Sequence, residues 1–207
     1  MKIQLILLAA LLGCAVAQSN KPTISLYYEA LCPYCRQFFV EQLAPAYDQL
    51  KDYFIIELVP FGNVQVRQDW NGNYVYQCQH GEAECYGNVV QSCAIKLFNY
   101  DQWFAFTRCM MQPRDYQYTT HYAQQCAQQL KLDWNSLSSC ANGPDGSELM
   151  KKNWSKTYYL NPRKGGVPWI LVNGQHTDYL QNNAQSDLIG FLCDDYLSNQ
   201  NIPACNN

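Results

Sequence analysis

Beyond its first dozen residues the chain has no apolar run approaching eighteen residues, which excludes a further bilayer-spanning helix. It has no basic run, and 14 Lys and Arg stand against 17 Asp and Glu for a formal net charge of −3. A nucleic-acid partner is therefore not expected, because it would need a basic patch or stripe. There is no internal repeat and no low-complexity tract, so neither a solenoid nor a disordered segment is expected. A second Cys-x-x-Cys is also missing, so the one at Cys32–Cys35 cannot complete a four-cysteine zinc site. Cys78-Gln79-His80 is the remaining pair with ligand character. An exported chain disfavours thiolate-bound zinc, and no metal is expected.

What is present begins with a leader. Lys2 supplies a positive start, Ile3 to Leu12 a short apolar stretch, and Ala15-Val16-Ala17 a small-residue cleavage site. This predicts a signal peptide over 1–17 and a mature chain over 18–207, with no membrane insertion. The mature length suits a single domain with a sizeable insertion. The secretory pathway is an oxidising compartment where disulfides form and persist. Of eleven cysteines, Cys14 leaves with the leader, and an even number remains. With Cys32 and Cys35 set aside, Cys78, Cys85, Cys93, Cys109, Cys126, Cys140, Cys193 and Cys205 are expected to form four structural bridges. About a hundred pairings are open to them.

Local patterns place these residues. Thr23 to Tyr28 (TISLYY) is β-branched and aromatic and predicts a buried strand. After Cys32-Pro33-Tyr34-Cys35 a helix is expected, with Phe38, Phe39, Leu43, Tyr47 and Leu50 on one face. Pro33 suits its first turn, whereas Pro45 should kink or break it. Tyr53 to Val59 predicts a second strand, giving a parallel pair with a right-handed crossover. From about 61 to 160, cysteine and aromatic residues recur at loose helical spacing. This predicts a disulfide-bonded, mostly helical insertion, whose first part, Asn63 to Tyr76, carries Asn71-Gly72 and holds a turn or a short hairpin. Val167 to Val172, Asn173-Gly174 and Gln175 to Tyr179 read as a type I′ hairpin of two strands. Ser186 to Leu197 closes the chain as a helix with Leu188, Ile189, Leu192 and Cys193 inward. The order β-α-β, helical insertion, β-β-α predicts an α/β thioredoxin-like fold.

Placed after a strand and opening a helix, Cys32 and Cys35 predict thiol–disulfide chemistry. The thiolate is the attacking species, and an ordinary Cys near pKa 8.5 supplies almost none in acid. Unpaired amides and the dipole at a helix start favour the ionised form of Cys32. Cys35, one turn on and more buried, is positioned to resolve a mixed disulfide. Pro168 is expected to be cis and opposite Cys32. That arrangement frees the Val167 backbone to pair with an extended substrate.

From Cys78 to Cys93 the sequence is CQHGEAECYGNVVQSC. Cys78, Gln79, His80, Gly81, Glu84, Cys85, Asn88 and Cys93 match the signature of the gamma-interferon-inducible lysosomal thiol reductase (GILT) family. SLYYEALCPYC upstream and GVPWILVNG downstream are also similar to that family. The resemblance implies reduction of substrate disulfides at acidic pH, with Cys32 as nucleophile and Cys35 as resolving residue. It implies disulfide-containing protein substrates and a small-thiol electron donor, with no bound cofactor. His80 is read as a packing or hydrogen-bonding residue, with a proton shuttle as the alternative. Glu84 and Asn88 are read as bracing the insertion. Pro33-Tyr34 differs from the small residues of some relatives and is similar to the glutaredoxin dipeptide, which leaves the direction of net reaction open.

Asn153-Trp154-Ser155 is the only N-glycosylation sequon, expected at the surface. A glycan there would carry a mannose-6-phosphate lysosomal address, as the resemblance suggests. Lysosomal and secreted destinations both fit. Two rival readings stand beside the reductase: a DsbA-like disulfide oxidase or isomerase, and a non-enzymatic secreted binding protein with an inert Cys32–Cys35 pair.

Overall fold

The computed structural model describes residues 21–112 and 118–206. The leader expected over 1–17 lies outside the described residues. β1 (Thr23–Tyr28) is buried at five of its six positions and forms the centre of a three-stranded sheet. On one side it pairs in parallel with β2 (Ile55–Pro60), Thr23 opposite Ile55 and Tyr28 opposite Pro60. On the other it pairs antiparallel with β5 (Trp169–Val172).

The crossover between β1 and β2 is helical throughout. It comprises α1 (Pro33–Phe38), a π-helical turn (Phe39–Leu43) and α2 (Ala44–Leu50). Pro45 was expected to kink or break this helix, because it brings no N–H to the ladder. The α-helical ladder is interrupted just ahead of it: the Ala44 N–H bonds the Phe39 carbonyl five residues back, one residue wider than an α turn. The π turn accommodates the proline at the start of α2. Phe38, Phe39, Leu43, Tyr47 and Leu50 are all buried, as the helical period predicts. Phe39 and Tyr47 stack on Phe104 at centroid distances of 5.4 and 3.8 Å.

The insertion between β2 and β5 opens with the hairpin β3 (Gln65–Gln68) and β4 (Tyr74–Gln77). Asp69 accepts from the Asn71 and Asn73 amides in its turn, and Gly72 takes the left-handed φ of +83° that the turn requires. Five helices follow: α3 (Glu82–Leu97), α4 (Tyr100–Met110), α5 (Thr119–Gln129), α6 (Trp134–Asn142) and α7 (Pro144–Tyr158). The other four pack around α3. Disulfides join Cys93 to Cys140 (α3 to α6) and Cys109 to Cys126 (α4 to α5). Cys78–Cys85 pins the approach to α3 onto its first turn, and Cys193–Cys205 ties down the C-terminal segment. Only Cys32 and Cys35 remain free among the described cysteines.

Two expectations are corrected here. Asn173 and Gly174 do turn the chain, at φ of 50° and 75°, but the second strand from Gln175 to Tyr179 does not form. One bridge, Val172 to Gln175, is all that exists of it. The Thr177 hydroxyl accepts from the Leu180 N–H at 3.1 Å. This cap starts α8 (Asp178–Ser186), which buries Leu180 and Ala184. Helix capping plus burial therefore override the extended propensity of a five-residue stretch. α9 (Leu188–Asp195) then closes the domain, with Leu188, Leu192 and Cys193 buried and Ile189 half-buried.

The second correction concerns Asn153. It lies on α7 and is only 8% exposed. Its side-chain amide donates to Ser92 Oγ at 2.9 Å and to the Pro60 carbonyl at 3.3 Å. These bonds tie α7 to α3 and to the end of β2. Asn153 is therefore a buried structural amide and does not lie at the surface, where the sequon was expected.

Candidate active site

The parallel pair delivers the chain from β1 directly into the redox turn. Cys32 is the N-cap of α1 with extended dihedrals, φ −61° and ψ 122°, and Pro33 occupies the first turn. The Arg36 N–H closes the turn onto the Cys32 carbonyl at 3.0 Å. Arg36 also donates from Nε to the Ala30 carbonyl and from Nη2 to the Met110 carbonyl, anchoring the turn to α4. Cys32 keeps 5% of its surface exposed and Cys35 none, while Pro33 and Tyr34 between them face solvent.

The two thiols differ in acidity. Cys32 is pulled down to about 6, first by a hydrogen bond from the Cys35 thiol, then by the Cys35 and Tyr34 amides and the nearby His80; burial opposes this. Cys35 is pushed far above the ordinary thiol range, chiefly by burial and then by donating to Cys32. The arrangement holds the more acidic thiol just beneath the surface and a thiol donor deeper below it.

The segment before β5 forms the facing wall. The Cys32 sulfur lies 3.9 Å from the Val167 carbonyl oxygen, and the Val167–Pro168 peptide bond is cis. Pro168 is buried. Gln181 of α8 fixes this wall, donating to the Pro168 carbonyl and accepting from the Ile170 N–H, both at 3.0 Å.

The third wall comes from the insertion. Asn88 Oδ1 accepts from the Ala30 N–H at 2.9 Å, so it braces the redox loop itself. A Cβ on Gly87 would sit 2.7 Å from the Ala30 Cβ, so glycine permits this approach of α3. His80 Nδ1 stands 2.6 Å from Glu84 Oε2 and 3.8 Å from Glu29 Oε2. Glu84 also accepts from the His80 backbone N–H at 3.1 Å.

Glu29 was absent from the residues singled out by sequence. It follows β1, is fully buried, and accepts from the Asn63 N–H at 2.5 Å through Oε1. Its Oε2 has no hydrogen-bond partner. Burial, reinforced by the neighbouring Glu84 carboxylate, raises it to about 7. Gly62 is required beside it: its φ is +62° and a Cβ there would overlap the Glu29 side chain. The available signal was a charged residue ending an apolar strand three positions before Cys32. Glu29, His80 and Glu84 also form a group whose potential ligand atoms lie within 4.8 Å of one another.

Residues 23–130 match the family model described as gamma interferon inducible lysosomal thiol reductase (GILT). The gamma-interferon-inducible lysosomal thiol reductase of Carassius auratus is 41% identical over 88% of this chain and 72% of its own. The chain belongs to the GILT family. Within it, the Mus musculus reductase is 32% identical over 88% of this chain and 71% of its own. GILT-like protein 1 of Drosophila melanogaster is 31% identical over 97% and 84%. Among solved structures, a thioredoxin-like oxidoreductase from Silicibacter pomeroyi DSS-3 superposes with a TM-score of 0.53 at 15% identity, covering 79% of this chain and 83% of its own. The oxidoreductase NmDsbA1 from N. meningitidis gives 0.52 at 13%, covering 89% and 88%. These likenesses show a thioredoxin-like fold. The GILT family member described here is a thiol–disulfide oxidoreductase, and its substrates contain disulfides. The reading of an inert, non-enzymatic Cys32–Cys35 pair is thereby set aside. Among the described residues no helix is long and apolar enough to cross a membrane. Four disulfides suit an oxidising, exported setting.

Proposed function

We propose that the protein reduces disulfides of protein substrates in an acidic compartment, the lysosome for which its relatives are named, with a small thiol restoring its dithiol and no bound cofactor. The Cys32 thiolate attacks one substrate sulfur, and the first substrate thiolate leaves. Cys35 then attacks Cys32, and the second substrate thiolate departs. The enzyme is left with a Cys32–Cys35 disulfide and the substrate has gained two electrons. Val167, with Pro168 next to it, lies beside the attacking Cys32 sulfur, where an extended substrate backbone pairs with the Val167 peptide.

One arrangement carries this reading: Cys32 caps α1 with its sulfur 3.9 Å from the Val167 carbonyl that precedes cis Pro168, where the Cys35 thiol and first-turn amides lower it to about 6 and leave part of it thiolate in acid. The test is insulin-disulfide reduction at about pH 5 and pH 7. Cys32→Ser is expected to be inactive, and Cys35→Ser to trap mixed disulfides. Turnover by Cys32→Ser at the wild-type rate removes the assignment. A DsbA-like oxidase is the second reading, because a stabilised thiolate also favours the reduced form. A reduction potential near about −270 mV supports net reduction, and one near about −120 mV supports oxidation.

A further inference from the structure

The resolving step has an unassigned partner. Cys35 is fully buried, so its proton cannot pass directly to bulk water when it attacks Cys32. The group beside it is Glu29. Glu29 stands three residues before Cys32, and its carboxyl lies within electrostatic reach of both Cys35 and Cys32. Glu29 Oε2 is buried and unpartnered, and it faces His80 Nδ1 at 3.8 Å. The His80 side chain is 28% exposed, so it spans the distance between the buried carboxyl and solvent. Glu84, fully buried, sits on the same ring nitrogen at 2.6 Å.

The remaining groups facing Glu29 come from every element around it. They are the Asn63 N–H on Oε1, Glu84 from α3 and Cys32 from the redox turn. Lys164, from the segment before β5, lies within electrostatic reach and bonds Asn63 Oδ1 at 2.5 Å. Of these, only His80 contacts the open oxygen and also reaches solvent.

We propose that Glu29 accepts the Cys35 proton during resolution and passes it to solvent through His80, with Glu84 balancing the imidazolium formed on the way. This deepens the role given to Cys35 above and rests on that reading. In the mixed disulfide, a bond forms between the Cys35 and Cys32 sulfurs while the bond from Cys32 to the substrate sulfur breaks. The bonding pair leaves on the substrate sulfur as a thiolate, and the Cys35 proton moves to Glu29 Oε2. For His80 Nδ1 to take that proton, the hydrogen it shares with Glu84 at 2.6 Å first passes to Glu84 Oε2; the imidazolium formed then releases its Nε2 proton to solvent. The timing is favourable: the Cys32 thiolate repels a charge on Glu29, and that repulsion disappears once Cys32 is bonded to substrate. When a donor thiol reduces the Cys32–Cys35 disulfide, the same path returns a proton to Cys35. The signature residues His80 and Glu84 thereby gain a function beyond bracing the insertion. Both act on the sulfurs through Glu29.

The experiment is a single turnover of the full mature chain. The reduced protein is mixed with a disulfide substrate and acid-quenched. The mixed disulfide is then followed by intact mass from about pH 4.5 to 8. Glu29→Gln is expected to accumulate the mixed disulfide and to slow its resolution by about a hundredfold, within the range of general acid–base effects. Glu29→Asp is expected to recover part of that rate. His80→Gln is expected to slow resolution and to change its pH profile, which a purely structural role would not do. Alkylation of Cys32 should stay fast in both Glu29 variants and slow only slightly in His80→Gln, whose ring is the smallest named cause of the Cys32 acidity. Resolution by Glu29→Gln at the wild-type rate across the pH range overturns the proposal. If Glu29→Gln does not fold, His80→Gln decides alone: a wild-type pH profile overturns the proposal and an altered one supports it. Failure of the parent reading looks different, because the wild-type protein would then form no mixed disulfide at all.

Discussion

The acidity of Cys32 makes a quantitative prediction. At pH 5 a thiol titrating at about 6 is roughly one-tenth thiolate, whereas an ordinary one near 8.5 is about 0.03%. The gain in thiolate is therefore roughly 300-fold. A less basic thiolate is also a weaker nucleophile, and a Brønsted slope of about 0.45 takes back roughly a factor of 13. The net advantage is about twentyfold at pH 5. The same reasoning at pH 7 leaves only about twofold, so the depressed pKa matters most in acid. The assay is iodoacetamide alkylation of the dithiol form, followed by intact mass from about pH 4 to 9, with an expected midpoint near 6. Because the Cys35 thiol is the largest cause of the shift, Cys35→Ala is expected to move the midpoint up toward the ordinary thiol range. Cys35→Ser keeps an O–H donor and should stay close to wild type. A wild-type midpoint near 8.5, or equal midpoints in wild type and Cys35→Ala, refutes the reasoning.

Other consequences are equally open to measurement. Glu29 is raised from 4.5 to about 7 in the fold, so the unfolded chain ionises it first. Folding stability of the oxidised form, in which neither Cys32 nor Cys35 titrates, should fall as pH rises from about 4.5 to 7, by at most about 3 kcal/mol. Denaturant titrations of Glu29→Gln should lack that slope. The Cys93–Cys140 bridge closes a separation of 47 residues, and replacing both cysteines by Ala should cost about 4 kcal/mol in urea unfolding. Asn153→Ala removes the donor that Ser92 and Pro60 share, and a thermal melt should report a loss of about 1–3 kcal/mol. Peptide-N-glycosidase treatment of the secreted wild-type protein should leave the peptide bearing Asn153 unchanged in mass.

Much of the architecture was readable because its causes are local. The β-branched run Thr23–Tyr28 pairs as a strand because its side chains suit a buried pleated surface. Phe38, Phe39, Leu43, Tyr47 and Leu50 share one helical face because their spacing follows the helical period. The turn at Asn71-Gly72 forms for local reasons, the left-handed φ of Gly72 and the Asp69 carboxylate that accepts from the Asn71 and Asn73 amides. The segment 175–179 misled because five residues of extended character carry little weight against a Thr177 cap and the burial of Leu180. Pro45 does interrupt the α-helical ladder, but the form the interruption takes, a π turn, has no signature in the residues themselves. Asn153 misled because a sequon says nothing of what its amide will touch.

The redox pair itself belongs to the sequence. Two residues between Cys32 and Cys35, behind a strand and ahead of a helical period, bring both sulfurs to one helix start, and that is a property of a single turn of chain. Which of the other eight cysteines meet, and which acid serves the pair, belongs to the tertiary structure. The Glu29 carboxyl, the His80 ring and the Glu84 carboxyl come from separate stretches of chain and acquire their character from burial beside one another. Desolvation and charge coupling depend on distance in space, and only the folded chain sets that distance.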